Sequence, residues 1–430
     1  MARAYIDNVV FEITEACNQC CRFCYNYWRD GNAPIPAPDP ALARKTLKKL
    51  LSQASVGNLS LSGGEPLLLP NVHDLVLHAR FKGCKVNILT NGTLLDEDAL
   101  HNFISLGVGA IQIPLLSSDA AIHETLTGLP GSWGKAFDAL KRTGKTGIGA
   151  AVLVITRVNA PYVTATLSLI RDCGIRTVMV NRFNIGGNGI RNLRELVPGR
   201  IMLEEAFAGV EAFAVANPEM RFVSGVCTPL CLMDTEKYPH ISFTRCTTEL
   251  SGRPLTVNYS GDVRFCNHSP RVLGNIYSRD IGDILGDPRI KEYYAAVPEE
   301  CGKCPSFQRC GGGCRAASEQ VYGSFAVKDP ICREISSLHE GNGGHADAEV
   351  RQQGLDGLGE GRAGGHDIVH DQEMPDARFL QAGHSARPQD KSPGHIAPLA
   401  FCIQTGLGAG IASAQQQIRH DGQRPPRRTA

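Results

Sequence analysis

Uncompensated charge is what this sequence has least of: 44 Lys and Arg stand against 43 Asp and Glu, a formal net charge of +1. That balance excludes the long-range positive field with which phosphate-backbone binders gather their targets, and nucleic acid is not an expected partner. Long hydrophobic runs are also missing. Met1 to Thr14 has no basic stretch followed by a continuous apolar run and a small-residue cleavage site. No later segment approaches the roughly 20 apolar residues that cross a bilayer, so neither secretion nor a membrane partner is expected. A cytoplasmic location follows as the expectation, in a compartment that disfavours disulfides.

What the chain does have is cysteine, sixteen in 430 residues. In a reducing compartment, clustered thiols read as metal ligands. The length is enough for two or three domains with sizeable cores.

From residue 8 to about 183, β-branched apolar runs alternate with helical segments, the pattern of a parallel β/α architecture. Six strand–helix units are expected, with strands at Asn8 to Thr14, Asn58 to Ser62, Cys84 to Thr90, Gly109 to Leu115, Ile148 to Thr156 and Thr177 to Arg182. Between the first two, Ala41 to Leu51 carries Leu42, Leu47, Leu50 and Leu51 at roughly helical spacing, opened by Asp39 as N-cap and Pro40 in the first turn. The rhythm fades after Arg182, and from Cys227 to Cys332 the chain is turn-rich with closely spaced cysteines.

A third change comes near Gly341. From there to Ala430 there is no Trp or Tyr, one Lys (Lys391), and an excess of Gly, Gln, Arg and His without periodicity. Such a segment buries too little apolar surface to offset its ordering entropy, and a disordered tail is expected. Its histidines (His345, His366, His370, His384, His395, His420) lack the short fixed spacing of a metal site. The expected organisation is 1–183, a connecting segment 184–245, a cysteine-rich domain 246–340, and the tail 341–430.

After the first strand, Cys17, Cys21 and Cys24 form C-x3-C-x2-C, with Cys20 as a further thiol in the loop. Three thiolates hold three irons of a cubane and leave the fourth open, unlike the four-cysteine ligation of an electron-transfer cluster. An open metal position implies a bound small molecule. Gly63-Gly64-Glu65-Pro66 follows the second strand, and glycines there let backbone approach a ligand closely. A zinc site or buried thiols is the plainer reading of the cysteines alone.

With both motifs in place, the chain resembles the radical S-adenosylmethionine (SAM) superfamily. The resemblance implies an α/β fold, a partial (β/α)6 TIM-type barrel, with a [4Fe-4S] cluster on Cys17, Cys21 and Cys24 that chelates SAM. It makes Phe23, Gly63, Gly64, Glu65 and Pro66 the cofactor-binding residues. Tyr25, Tyr27 and Trp28 are placed to shield the cluster or simply to pack. Two positions depart from the pattern: Pro114 stands where a fourth-strand serine is usual, and Thr127 where an arginine is. Those two SAM contacts are not carried over.

Downstream, Cys246, Cys266, Cys301, Cys304, Cys310, Cys314 and Cys332 form C-x14-G-x4-C, C-x2-C-x5-C-x3-C and a distant C. This series resembles the SPASM extension, which carries two auxiliary iron–sulfur clusters. Zinc knuckles are the alternative reading. By the resemblance, Cys301, Cys304, Cys310 and Cys332 hold an outer [4Fe-4S] cluster, and Cys246, Cys266 and Cys314 an inner one. Cys227 or Cys231 would supply the inner cluster's fourth ligand, or the position is open to substrate. Cys84, Cys173 and Cys402 fit no pattern, and the first two are expected to pack as small hydrophobes.

The implied chemistry is reductive cleavage of SAM to a 5′-deoxyadenosyl radical that removes hydrogen from a substrate, near the strand ends at Thr90-Asn91-Gly92, Leu115 to Ser118 and Asn181-Arg182-Phe183. Auxiliary clusters suit a net oxidation. The expected substrate is a ribosomally made peptide, which is crosslinked or oxidised. Oxidation of a small molecule such as a tetrapyrrole, or a non-catalytic metal-binding module, are the alternatives. Asn267 stands where sulfatase-maturing enzymes carry an aspartate base, which disfavours formylglycine formation; His268 is the candidate base instead, with a surface or cluster-flanking histidine as its plainer reading. A flavodoxin or ferredoxin is the expected one-electron donor. Since the first strand begins near residue 8, a separate protein is expected to present the peptide's leader.

Overall fold

The computed structural model describes residues 3–29, 34–247 and 254–339. The tail expectation, its histidines and Cys402 lie outside the described residues.

All six expected strands form, within a few residues of the expected bounds: β1 (Ala4–Glu12), β2 (Ala54–Ser62), β3 (Lys85–Leu89), β4 (Ala110–Pro114), β5 (Gly149–Ile155) and β6 (Thr177–Arg182). They lie in sequence order in one sheet, each parallel to the next. The crossovers carry α1 (Pro40–Gln53), α2 (Val72–Phe81), α3 (Glu97–Ser105), α4 (Ala120–Thr127), α5 (Ser132–Gly144) and α6 (Val163–Asp172). In α1, Asp39 caps by accepting from the Leu42 N–H, Pro40 takes the first turn, and Leu47, Leu50 and Leu51 are buried. Leu42 is only half-buried.

The sheet does not stop where the strand rhythm fades. After α7 (Asn188–Arg191), α8 (Leu193–Leu196) and α9 (Arg200–Ala216), strands β7 (Arg221–Ser224) and β8 (Ile241–Phe243) add in parallel beyond β6. On the other edge β9 (Leu255–Asn258) pairs parallel with β1, followed by antiparallel β10 (Asp262–Arg264) and β11 (Val272–Asn275). Part of the cysteine-rich segment is thus built into the same eleven-stranded sheet. Strands of three or four residues are too short to show a period, which is why the sequence hides them. The remaining helices are α10 (Ile281–Gly286), α11 (Pro288–Ala295), α12 (Phe307–Cys310), α13 (Arg315–Tyr322) and α14 (Ile331–His339).

Alternation along the strands sorts side chains to two faces. A Cβ built on Gly92 would touch both Ile113 and Ala139 of α5, so Ile113 faces the helices and its neighbours Gln112 and Pro114 face the interior. Phe11, Leu59, Leu61, Ile88, Ile111 and Ile113 belong to the apolar core, together with Cys84 and Cys173. The inward row reads Glu12 beside Ser62, then Leu89 beside Gln112 and Gln112 beside Ala150.

Candidate functional site

The chain leaves β1 and crosses directly over the end of β2, and this crossing explains the paired glycines. Gly64 N–H donates to Thr14 O at 2.6 Å and Glu65 N–H to Ala16 O at 2.8 Å. A Cβ on Gly64 would lie 1.8 Å from Ala16 O, and one on Gly63, at φ +126°, 2.2 Å from Thr14 O. The close approach these glycines permit is first of all to the cysteine loop itself, not to a ligand.

The loop is clamped from two sides. Arg22 N–H donates to Leu126 O of α4 (3.0 Å), Asn188 Nδ2 to Cys21 O (2.8 Å), and Gly189 N–H to Cys24 O (3.2 Å). The turn Gly186-Gly187-Asn188-Gly189 after β6 was not expected at the site. Its glycine density was the available signal.

Cys21 and Cys24 are buried, Cys17 is half-buried and Cys20 is exposed. Burial pushes the thiols of Cys17, Cys21 and Cys24 up, proximity to other thiols adds to this at Cys17, Cys21 and Cys24, and the Arg29 guanidinium opposes it at all three. Buried thiols in mutual contact ionise only against a compensating cation, and soft thiolates suit iron. The donor set therefore fits an iron–sulfur cluster. Phe23, between two of these cysteines, is buried in the core.

Glu65 is fully buried and accepts from Thr90 Oγ1 (2.7 Å), Leu67 N (3.0 Å), Asn91 N (3.2 Å) and Asn91 Nδ2. Burial pushes its carboxyl up to about 7 against those donors. Glu65 thus fixes the Thr90-Asn91-Gly92 turn at the end of β3. Pro114 offers no polar group, and the Thr127 hydroxyl is engaged with Ser132 at 2.8 Å. On the inward row, however, Glu12 Oε1, Ser62 Oγ and both polar atoms of Gln112 are buried with no hydrogen-bond partner among the described residues. Buried polar atoms are nearly always satisfied, and four such atoms on the inward face of β1, β2 and β4 fit a polar ligand such as SAM.

The other Glu12 oxygen pairs with Arg264 of β10, and the Arg264 guanidinium sits 4.7 Å from the Tyr27 ring centroid and 5.7 Å from that of Trp28. Tyr27 and Trp28 therefore pack on a cation at the seam with the cysteine-rich segment. Tyr25 reaches that segment too: its hydroxyl accepts from Asn267 Nδ2 at 2.6 Å, and its ring lies 4.5 Å from His268. The residues after Cys24 and after Cys266 are in direct contact.

His268 is 4% exposed. Its Nε2 lies 3.0 Å from Ile185 O and its Nδ1 3.1 Å from Asn184 Nδ2. The pairing calls for the neutral Nε2–H tautomer, with Nδ1 accepting, and burial holds the imidazole down to about 3. Both ring nitrogens of His268 are thus hydrogen-bonded in this structure.

The second cysteine system separates into two groups. Cys266 and Cys314 are buried with Phe265, Tyr294 and Phe325, and Cys227 and Cys246 pack against them. Arg182, at the end of β6, donates to Cys227 O at 2.6 and 3.1 Å and pairs with Asp329, which accepts from Cys314 N–H at 2.7 Å. Of the two candidates for the inner group's fourth place, Cys227 is therefore the one beside the trio. Cys231 lies elsewhere, its Sγ 3.8 Å from that of Cys332. Burial raises the Cys301 thiol, and the charges of Cys310 and Cys231 add to this. Among the described residues no three His, Cys, Asp or Glu groups converge as ligands of a single ion.

Residues 11–170 match the model of the Radical SAM superfamily, and residues 246–305 that of SPASM, an iron–sulfur cluster-binding domain. PqqA peptide cyclase of Xanthomonas euvesicatoria pv. vesicatoria is 26% identical over 345 residues, 77% of this chain and 88% of that protein. Among solved structures, Streptococcus suis SuiB bound to S-adenosylmethionine superposes with a TM-score of 0.59 at 16% identity, covering 77% of this chain and 78% of SuiB. anSMEcpe with bound AdoMet gives 0.57 at 18% identity, covering 81% and 99%. The cysteine loop over β2 falls within the first match and the start of the second cysteine system within the other, so the chain is a radical SAM enzyme with a SPASM extension, whose cofactors are a [4Fe-4S] cluster, SAM and auxiliary iron–sulfur clusters.

Proposed function

We propose that this enzyme oxidatively modifies a ribosomally made peptide, by crosslinking or side-chain oxidation. One observation carries the reading: a relative named PqqA peptide cyclase aligns along 77% of this chain and 88% of its own length. When bound, the cluster and SAM together supply a hydrogen-abstracting radical.

The chain's own residues hold and screen that chemistry. Cys17, Cys21 and Cys24 would ligate the SAM-binding cluster, with Phe23 buried in the core between the last two. The backbone of Gly63, Gly64 and Pro66, with Ser62 and Gln112, would receive SAM, while Glu65 holds the β3 turn in place. Cys227, Cys246, Cys266 and Cys314 would form the inner auxiliary site, and Cys301, Cys304, Cys310 and Cys332 the outer one. The Tyr25–Asn267 hydrogen bond joins the first loop to the inner site, a compact route for the electron a substrate radical must lose. Residues 1–183 would be the catalytic core and 246–340 the electron-handling domain, joined by 184–245. A flavodoxin or ferredoxin would supply the reducing electron, and a separate protein would present the peptide leader, in the cytoplasm. Among the described residues no helix is long and apolar enough to cross a membrane.

The test is anaerobic reconstitution with iron and sulfide, iron counting, and dithionite-driven assay of 5′-deoxyadenosine, repeated with short peptides encoded beside the gene. About twelve irons per chain, SAM cleavage lost in Cys21→Ala, and a mass loss in one peptide are the expected results. SAM cleavage that responds to a small metabolite and to no peptide would overturn the peptide substrate. Bound zinc with no cleavage would overturn the whole reading.

A further inference from the structure

The outer group contains one thiol too many. Four cysteines match the SPASM spacing there, Cys301, Cys304, Cys310 and Cys332, and a cubane has four corners. Cys231 is the fifth. It comes from the loop before β8, some hundred residues upstream of Cys332, and lies 3.8 Å from it, sulfur to sulfur.

That distance has a specific meaning. Two thiolates on one tetrahedral metal, with metal–sulfur bonds of about 2.3 Å, stand roughly 3.8 Å apart. Thiolates on different irons of a cubane point away from each other along separate corners and stand farther apart. Cys231 and Cys332, in hydrogen-bonding contact here, are therefore too close to serve two corners of one cubane without moving apart. An iron in a cubane already carries three sulfides and takes a single thiolate, so the two cysteines exclude each other.

Two features hold Cys231 in this place. The Lys328 ammonium hydrogen-bonds it and faces the Cys332 thiol as well. Arg245 Nη1 donates to Gln308 O at 2.7 Å, and Arg309 pairs with Glu236, so the segment that follows Cys231 is fastened to the turn that carries Cys310. A cavity of about 180 Å³ opens beside Cys332, lined by Glu300, Tyr322, Lys328, Asp329 and Arg333 among others.

We propose that Cys231 is a reserve ligand of the outer auxiliary cluster, able to take the corner of Cys332 when that thiol is lost. The inference rests on the outer site being an iron–sulfur cluster. It places the solvent-side corner under two thiols, a device that preserves the cluster against loss of one ligand.

The experiment compares wild type, Cys231→Ser, Cys332→Ser and the double variant, each reconstituted anaerobically. Iron per chain and the EPR spectrum of the dithionite-reduced protein are the readouts, with circular dichroism and the SAM-sensitive cluster signal as the measure of folding. Both single variants should keep about twelve irons per chain, and the double variant should lose about four, with the SAM-sensitive signal intact in all. Loss of the outer cluster in Cys332→Ser alone, or in Cys231→Ser alone, overturns the proposal, as does a double variant that keeps every iron. A wild type that never loads an outer cluster overturns the site itself, and that outcome is distinguished by its iron count before any variant is made.

Discussion

Removing the carboxylate of Asp329 tests how the two halves of the molecule are joined. Arg182 and Asp329 are 1% and 0% exposed as side chains. Burial pushes the Asp329 carboxyl up, and the Arg182 guanidinium with the Cys314 and Ile331 N–H groups pulls it back. In Asp329→Ala the guanidinium stays buried without its counter-charge, a loss of about 3–5 kcal/mol. The N–H groups of Cys314 and Ile331, which donate to Asp329 at 2.7 and 3.1 Å, lose their acceptor as well. Each costs about 1–3 kcal/mol if no water replaces it. The terms overlap, so a destabilisation of at least about 3 kcal/mol is expected. Removing both charges relieves the desolvation, and Arg182→Met with Asp329→Leu should recover the part of the loss that comes from the unpaired guanidinium. Anaerobic urea titration followed by circular dichroism measures both. A single variant within about 1 kcal/mol of wild type, or a double variant no better than the single, would refute the reasoning.

Gly64→Ala should fold its strands but fail to load the first cluster, because the new Cβ would lie 1.8 Å from Ala16 O; an iron count equal to wild type sinks this. Gln112→Leu removes two buried unpartnered atoms, so the protein should be as stable as wild type or slightly more so, while SAM affinity falls about tenfold, or about 1.4 kcal/mol. Equilibrium dialysis with SAM and a urea curve decide that case, and lowered stability with unchanged affinity is the contrary result. Glu65 has a folded pKa of about 7 against an ordinary 4.5, so its contribution is complete below about pH 4.5 and is lost as pH rises through 7. Glu65→Gln should flatten the decline of stability between pH 5 and pH 8, and a slope equal to wild type in paired urea midpoints would count against the assignment.

The sequence by itself determined the parallel core and the chemistry. β-branched runs at β/α spacing carry the six strands, and C-x3-C-x2-C with GGEP names the cofactor, because periodicity and ligand spacing are local properties. Tertiary structure alone decided the rest. The pairing of β9 with β1, the ion pairs Glu12–Arg264 and Arg182–Asp329, and the contact of Asn267 with Tyr25 join residues up to 252 positions apart. No local pattern announces them. Cys227 and Cys231 are four residues apart and chemically identical, yet one packs beside the inner group and the other against Cys332. Only the path of the backbone between β7 and β8 separates them. The same holds for His268, a plausible base by residue type, whose neighbours in space occupy both of its nitrogens. Burial and hydrogen-bond partners decide what a titratable group can do, and both are set by the fold.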